Sequence, residues 1–336
     1  MKKTIRFLII MMISSSIYAQ DIHFSQFSQA PLFVNPALTG DFNSSHRAQL
    51  NYKSQWASIT TPYKTMALQY DHLMNRLSFT HNKIGLGFVA LKDVAGDSGF
   101  GVTYIMGSAS YIMELSNGHI LAVGFQGGYA QNSMTSQNLT WDNQHDENGY
   151  DASMPSYEPD YTETVGRYEL AAGLLYKAQL NRHNKAKLGL GMYHINPAKV
   201  NFNSNLRENL NRKYTAYFSF ESHKKSTNLT IIPEAFYQMQ GLQYEFVFGS
   251  RLRYELQQSS KYTGFIQQVL FSIGAYYRNQ DALILTSGFS YRNYAFRLSY
   301  DINTSRLTNI SYGRGGLELS LIFTAPYNKG KGNSLI

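Results

Sequence analysis

The chain contains no cysteine, which removes a disulfide framework, a Cys-ligated zinc or iron–sulfur centre, a thiol nucleophile and a bacterial lipoprotein anchor. Charge is scarce too: Asp, Glu, Lys and Arg make up 15% of the 336 residues, against roughly 25% in soluble domains. Beyond the extreme N-terminus there is no long apolar run, so a bundle of transmembrane helices, each needing about 20 apolar residues, is excluded. The mean hydropathy of −0.32 is polar, because Ser, Thr, Asn, Gln and Gly fill places that charges hold elsewhere. Disorder is disfavoured by an opposite abundance: aromatics reach 14%, with 26 Tyr and 20 Phe. What remains is a β-rich chain with an uncharged, aromatic exterior.

The net charge of +8 falls to +5 once three positives at the start, Lys2, Lys3 and Arg6, are set aside. No dense Lys/Arg stripe follows, so no nucleic-acid partner is expected. Those three residues form a positive n-region, Phe7 to Ile13 opens an apolar h-region, and Ile17-Tyr18-Ala19 before Gln20 resembles a signal-peptidase site. Residues 1–19 therefore read as a signal peptide, with a retained anchor as the alternative. The mature chain begins at Gln20 or Asp21 and is exported.

From residue 46 onward one pattern repeats, about ten residues of period-two alternation followed by a turn. Ala48, Leu50 and Tyr52 alternate with Arg47, Gln49, Asn51 and Lys53, and Met66, Leu68 and Tyr70 alternate with Thr65, Gln69 and Asp71. One face is apolar and the other wet. Ile84, Leu86 and Phe88 alternate with Gly85 and Gly87, and Leu121, Val123 and Phe125 with Ala122, Gly124 and Gln126; these small residues leave room on the inner face. Such segments number about fourteen, an even count that suits an antiparallel barrel closed in lipid. The expected architecture is an all-β transmembrane barrel over residues 46–324, with an N-terminal segment at 20–45 and a periplasmic tail at 325–336. A secreted β-sandwich or propeller also alternates, but the scarce charge, the series of ten-residue strands and the aromatics near strand ends favour the membrane. The closing run, Leu317, Leu319, Leu321 and Phe323 around Glu318, Ser320 and Ile322, looks like the terminal assembly signal of outer-membrane barrels.

Parity assigns the connections if the N-terminus is periplasmic. Asn117-Gly118 and Arg292-Asn293 are then tight periplasmic turns, Lys224 and Lys225 occupy another, and the long stretch from Gln131 to Val165 is extracellular. That stretch carries Asp142, Asp146, Glu147, Asp151, Glu158, Asp160 and Glu163. Gln240-Gly241 is an unusually tight turn for the outer side.

Little else in the chain suggests chemistry. Gly96-Asp97-Ser98-Gly99 spells a serine-protease turn, yet no partner His and carboxylate accompany it, so it reads as a loop. His145, Asp146 and Glu147 lack the spacing of a calcium loop and read as solvated. Glycine pairs such as Gly189 with Gly191 precede no helix that would cradle a phosphate. No enzyme, metal or cofactor is expected.

The most distinctive stretch precedes the first strand: Asp21-Ile22-His23-Phe24-Ser25-Gln26-Phe27, then Ala30-Pro31-Leu32-Phe33-Val34-Asn35-Pro36-Ala37-Leu38-Thr39-Gly40. It resembles the opening of the PorP/SprF family, outer-membrane proteins of the type IX secretion system in the Bacteroidota. Tyr52-Lys53-Ser54-Gln55-Trp56, Pro62-Tyr63-Lys64-Thr65, His194-Ile195-Asn196-Pro197, Tyr300-Asp301-Ile302-Asn303-Thr304-Ser305 and Gly315-Gly316-Leu317-Glu318-Leu319-Ser320 resemble it as well. The resemblance implies a non-enzymatic role in the cell outer membrane. Its implied partners are lipid, periplasmic ring components of the machine, and a large secreted cargo such as a gliding adhesin with a type B C-terminal sorting domain. No peptidoglycan-binding extension follows Phe323, so any tether to the wall is expected from a partner.

Two roles are open for the opening segment. In one, Phe24, Phe27, Leu32, Phe33 and Val34 plug the periplasmic mouth, with Pro31 and Pro36 fixing the path and Asn35 beside them. In the other, they contact a periplasmic partner. Trp56 and Tyr63 read as anchors at the membrane interface ahead of a recognition role. Cargo contacts are expected on outer loops at Trp141, Asp142, Asp146, Tyr150, Arg306 and Arg314, because surface loops carry function on a rigid scaffold. A passive channel or FadL-like transporter is the alternative, and it needs a continuous lumen.

Overall fold

The computed structural model describes residues 21–74, 82–96, 99–134, 140–146, 149–151, 153–155, 164–198, 209–258, 267–305 and 308–325. Fourteen antiparallel strands close into a barrel. They are β1 (His46–Gln55), β2 (Tyr63–Met74), β3 (Lys83–Ala95), β4 (Phe100–Ser116), β5 (His119–Ser133), β6 (Thr164–Gln179) and β7 (Asn184–Tyr193). The series continues with β8 (Lys213–Lys224), β9 (Leu229–Gln240), β10 (Gln243–Gln257), β11 (Val269–Arg278), β12 (Ala282–Tyr291), β13 (Tyr294–Asn303) and β14 (Arg314–Ala325). Each strand pairs with its sequence neighbours, and β1 joins β14 through pairs such as Ala48 with Phe323 and Leu50 with Leu321. No sheet edge is left, as hydrocarbon requires of a backbone that water cannot reach.

The period-two pattern decides which side of the wall each residue takes. Leu50, Met66 and Phe125 on the outer face are 52%, 62% and 64% exposed, whereas Gln49, Asn51, Lys53, Gln69 and Asp71 are buried inside. The molecule is thus inverted, apolar without and polar within. Strand β1 begins and β14 ends at one mouth, the proximal mouth; the opposite mouth is distal. Exposed tyrosines gather toward both ends of the strands, with Tyr70, Tyr111 and Tyr176 proximal and Tyr129, Tyr168 and Tyr214 distal. Paired aromatic girdles of this kind mark the two interfaces of a membrane barrel.

The connections differ between the mouths. None of the six proximal ones contains Asp or Glu, and five carry a Lys or Arg: Arg76, Arg182, Lys225, Lys261 and Arg292. The two longest, between β5 and β6 and between β7 and β8, are distal. The first of these includes a one-turn 3-10 helix at Asp142–Gln144 and a small ladder pairing His145 with Tyr150 and Asp146 with Gly149. Tight turns follow β4 and β12 as the sequence suggests, and Gln240 to Gln243 is tight on the distal side.

The lumen is filled. Residues 21–45 run through it as a thread with a 3-10 turn at Phe27–Gln29, one helical turn at Pro31–Val34 and a second 3-10 turn at Pro36–Leu38. Proline opens both of the later turns, where its fixed φ is pre-organised and its missing N–H costs nothing. The buried core consists of this thread packed on the inner wall: Phe27, Val34, Ala37 and Leu38 meet Leu73, Leu175, Tyr217, Phe236 and Tyr276. Phe24 and Ala30 meet Ala67, Leu91, Tyr104 and Met106.

Candidate functional site

The thread lies where the wall has no side chains. A Cβ built on Gly124 would overlap the backbone of Pro36 and Ala37, one on Gly173 would strike the Asn35 amide, and one on Gly85 would strike the Thr39 carbonyl. These inward glycines on β3, β5 and β6 form a seat that admits peptide backbone at van der Waals distance. The Asn35-Pro36-Ala37-Leu38-Thr39-Gly40 stretch fits it residue by residue. Asn35 Oδ1 accepts from the Ala37 amide at 2.8 Å and caps the turn, while its Nδ2 donates to the Leu174 and Leu190 carbonyls at 2.8 and 3.1 Å. Thr39 Oγ1 donates to the Pro36 carbonyl at 2.7 Å and meets Ser108 Oγ at 2.5 Å. Ser110 Oγ donates to the Thr39 carbonyl at 2.6 Å. Gly40 has φ +76 and presses within 2.9 Å of Gly85 through its own ideal Cβ position, so a side chain there is doubly opposed.

Charge closes the proximal end. The Gly40 amide donates to Asp71 Oδ2 at 2.7 Å, and Arg47 holds Asp71 through two bonds of 2.9 and 2.6 Å. Asp41 sits between Lys177 and Lys187 at 2.5 and 2.6 Å. Burial opposes its ionisation, but the Lys187 and Lys177 ammonium groups overcome that and hold its carboxyl well below the usual carboxylate range.

The middle is held by neutral bonds and rings. Gln69 accepts from the Leu32 amide at 3.0 Å, Tyr193 OH donates to the Leu32 carbonyl at 3.1 Å, and Thr215 donates to the Val34 carbonyl at 2.7 Å. Phe27 enters a cage of Phe236, Tyr276 and Tyr217 with centroid separations of 5.3, 5.8 and 6.1 Å. Phe24 and Phe33 pack together at 5.7 Å.

At the distal end ions return. Both oxygens of Glu318 accept thread amides, Ser25 at 2.6 Å and Gln26 at 2.9 Å. Ser25 Oγ donates to Asp301 at 2.6 Å and Arg278 pairs with the same carboxylate. Lys53 donates to the His23 carbonyl at 2.9 Å. Asp21 is gripped by Lys213 at 2.6 Å, His194 at 3.1 Å and Tyr104 at 3.0 Å, and its amide donates to Gln240 at 2.9 Å. His194 in turn reaches Glu169 at 2.5 Å, which pairs with Arg167. Above this floor opens a cavity of about 690 Å³, bounded by Asp21, Ile22 and His23 below and by β1 to β4, β10 and β11 around it.

These positions revise two expectations. The opening segment does not stop at the proximal mouth: Phe24 and Asp21 lie toward the distal end, so the thread spans the lumen. Sequence cannot set that depth, because a folded-back segment has no register of its own. Trp56 and Tyr63, expected as interfacial anchors, border the distal cavity instead. Tyr63 shares the strand face of Thr65, Ala67 and Gln69, which point inward, and the two rings meet at 4.8 Å. Phe27, Pro31, Asn35 and Pro36 are buried in the lumen and Phe33 is half-buried. At the distal end Asp142, Asp146 and Tyr150 on the long connection and Arg314 at the start of β14 are exposed, and Trp141 is half-buried. Arg306 lies outside the described residues, as do Glu147, Glu158, Asp160, Glu163, Asp97, Ser98, residues 1–20 and residues 326–336.

Sequence reasoning did not single out Asp71, Lys213, Arg278, Asp301 or Glu318 as thread partners. A signal existed: in a chain this poor in charge, ionic residues at inward strand positions need buried partners.

Comparison with known proteins gives a consistent result. A family model described as "Type IX secretion system membrane protein PorP/SprF" matches residues 16–323. No curated protein matches the chain. Among solved structures, the CymD monoaromatic hydrocarbon channel is similar with a TM-score of 0.55 at 11% identity, covering 89% of this chain and 93% of that one. The Ralstonia pickettii toluene transporter TbuX gives 0.50 at 11% identity, with coverage of 89% and 93%. At such identity the likeness concerns the barrel fold alone.

Proposed function

The chain belongs to the PorP/SprF family of type IX secretion system membrane proteins, and from that membership we propose that it is a docking platform of the export apparatus which retains secreted cargo at the cell surface. It is a multi-pass barrel of the outer membrane. The proximal mouth, holding the end of β14 and mostly short cationic turns, faces the periplasm and the ring components of the machine. The distal mouth, with the long acidic connection, faces outward and meets the cargo, an adhesin with a C-terminal sorting domain.

The observation that carries this reading is the fixed thread. Its backbone is bonded to the wall at Asp21, Ser25, Leu32 and Gly40 and its Asn35 and Asp41 side chains add further ties, leaving a rigid barrel whose free surface is its loops. A diffusion channel, the alternative, requires that thread to leave. Deleting residues 142–160 while keeping a heat-resistant folded barrel should release cargo into the medium. Unchanged retention on cells would count against docking. Planar-bilayer recordings of purified protein should show only low conductance; large steady channels would favour the transporter reading.

A further inference from the structure

The distal cavity has an unbalanced charge. Four carboxylates line it, Asp21, Asp93, Glu245 and Asp281, against two fixed cations, Lys53 and Arg278. Both cations are engaged from below: Lys53 with Glu318 at 3.5 Å, Arg278 with Asp301. Asp281 has Arg278 at 3.2 Å and Asp21 has Lys213 at 2.6 Å. Asp93 is left over, and Glu245 is only loosely paired, with His23 Nδ1 at 3.4 Å and Arg278 Nε at 3.8 Å. Asp93 accepts from the Thr65 hydroxyl at 2.5 Å, and among the described residues no Lys or Arg pairs with it. Glu245 is buried and takes one bond from Gln238 at 2.9 Å. Its Oε1 has no hydrogen-bond partner among the described residues, and Arg278 Nε, 3.8 Å away, has none either.

A buried carboxylate oxygen with no hydrogen bond and only a distant guanidinium beside it is costly. The remaining lining supplies the rest of a recognition site, with Trp56 and Tyr63 as a ring pair and Phe100 and Tyr244 beside the same space. Aromatic faces beside acidic groups attract guanidinium and ammonium groups. The volume, about 690 Å³, falls within the range of about 300–1,000 Å³ typical of ligand sites. At the same mouth the β5–β6 connection has no Lys or Arg between Gln131 and Val165, while Arg212 and Arg314 are exposed at the starts of β8 and β14.

We propose that the distal cavity binds an extended, Lys- or Arg-bearing peptide segment of the protein docked on the outer face. The cationic head rests against Asp93 and Glu245 and its stem against Trp56 and Tyr63. The proposal rests on the outward-facing docking reading and adds to it the chemistry of the bound segment.

The chain holds two tryptophans, Trp56 and Trp141, so a Trp141→Phe background makes Trp56 a local reporter. Purified full chain in detergent micelles is titrated with a blocked Gly-Arg-Gly-Arg-Gly peptide, its Glu counterpart, and calcium chloride at matched ionic strength. A saturable change in Trp56 fluorescence with the Arg peptide alone is expected. Asp93→Asn, which keeps the Thr65 hydrogen bond, should weaken it by about tenfold, as loss of one half-buried charge pair does. Glu245→Gln provides a second, nearly isosteric variant. No saturable response, an equal response to the Glu peptide, an undiminished response in both variants, or a response to calcium alone overturns the proposal. The loop deletion tests docking separately: cargo release without peptide binding sinks only the cavity, and peptide binding with cargo retained by the deletion variant sinks only the docking.

Discussion

The two halves of the luminal thread are held by different physics. From Asn35 to Gly40 the backbone presses onto wall glycines and is fixed by amide and hydroxyl bonds, so close approach does the holding. From Asp21 to Gln26 the thread hangs on carboxylates, guanidinium and ammonium groups beneath an open cavity. The difference separates a lock from a platform. Shape complementarity tolerates no added atom, whereas an ionic floor tolerates rearrangement and leaves room for a ligand.

The sharpest way to break this contrast is Gly124→Leu. Its side chain would overlap the Pro36 and Ala37 backbone, and overpacking of this kind costs about 3 kcal/mol or more. The lock should be expelled, seen as new conductance in bilayers or loss of the heat-resistant folded band; an unaltered protein would mean that the glycine seat is not needed.

Glu318→Ala acts on the other half. It strands two thread amides and removes the ion-pair partner of Lys53, and breaking a buried pair costs about 3–5 kcal/mol. Here the cost is expected near the lower bound, because the cavity lets water and the thread readjust. Amide hydrogen exchange should rise at Ser25 and Gln26 while Leu38 and Thr39 stay protected. Uniform loss of protection would show that the thread behaves as one unit.

The smallest effect concerns pH at the proximal end. Asp41 has a depressed folded pKa, so its contribution is fully present above the unfolded value of about 3.9 and is lost only as pH falls below it. Hydrogen exchange at Asp41 and Phe42, corrected for intrinsic rate, should therefore not change between about pH 5 and 8. Replacing both Lys177 and Lys187 with Met leaves burial to raise the carboxyl's pKa, so seating should loosen as pH rises through that range.

Much of this was legible in the chain. Leu50, Met66 and Phe125 announced the lipid face and Gln49, Asn51 and Gln69 the lumen, because a strand shows its neighbours alternately to each side. The Asn35 to Gly40 stretch stood out as distinctive, and Gly85, Gly87 and Gly124 as leaving room inside. That the two belong together was not legible, since Gly124 and Ala37 are joined only by closure of the barrel. Trp56 and Tyr63 were misplaced for a related reason. Aromatics near a strand end suit the membrane interface, yet the parity of Tyr63 with Thr65 turns it inward.

The sequence by itself determined a closed membrane barrel, because period-two alternation and a bilayer that satisfies no backbone group admit little else. Only the tertiary structure decided how deep the thread runs and which charges hold it. Ser25 and Glu318 stand 293 positions apart, and no local rule of spacing brings a carboxylate under an amide across that distance; the curvature of a completed wall does.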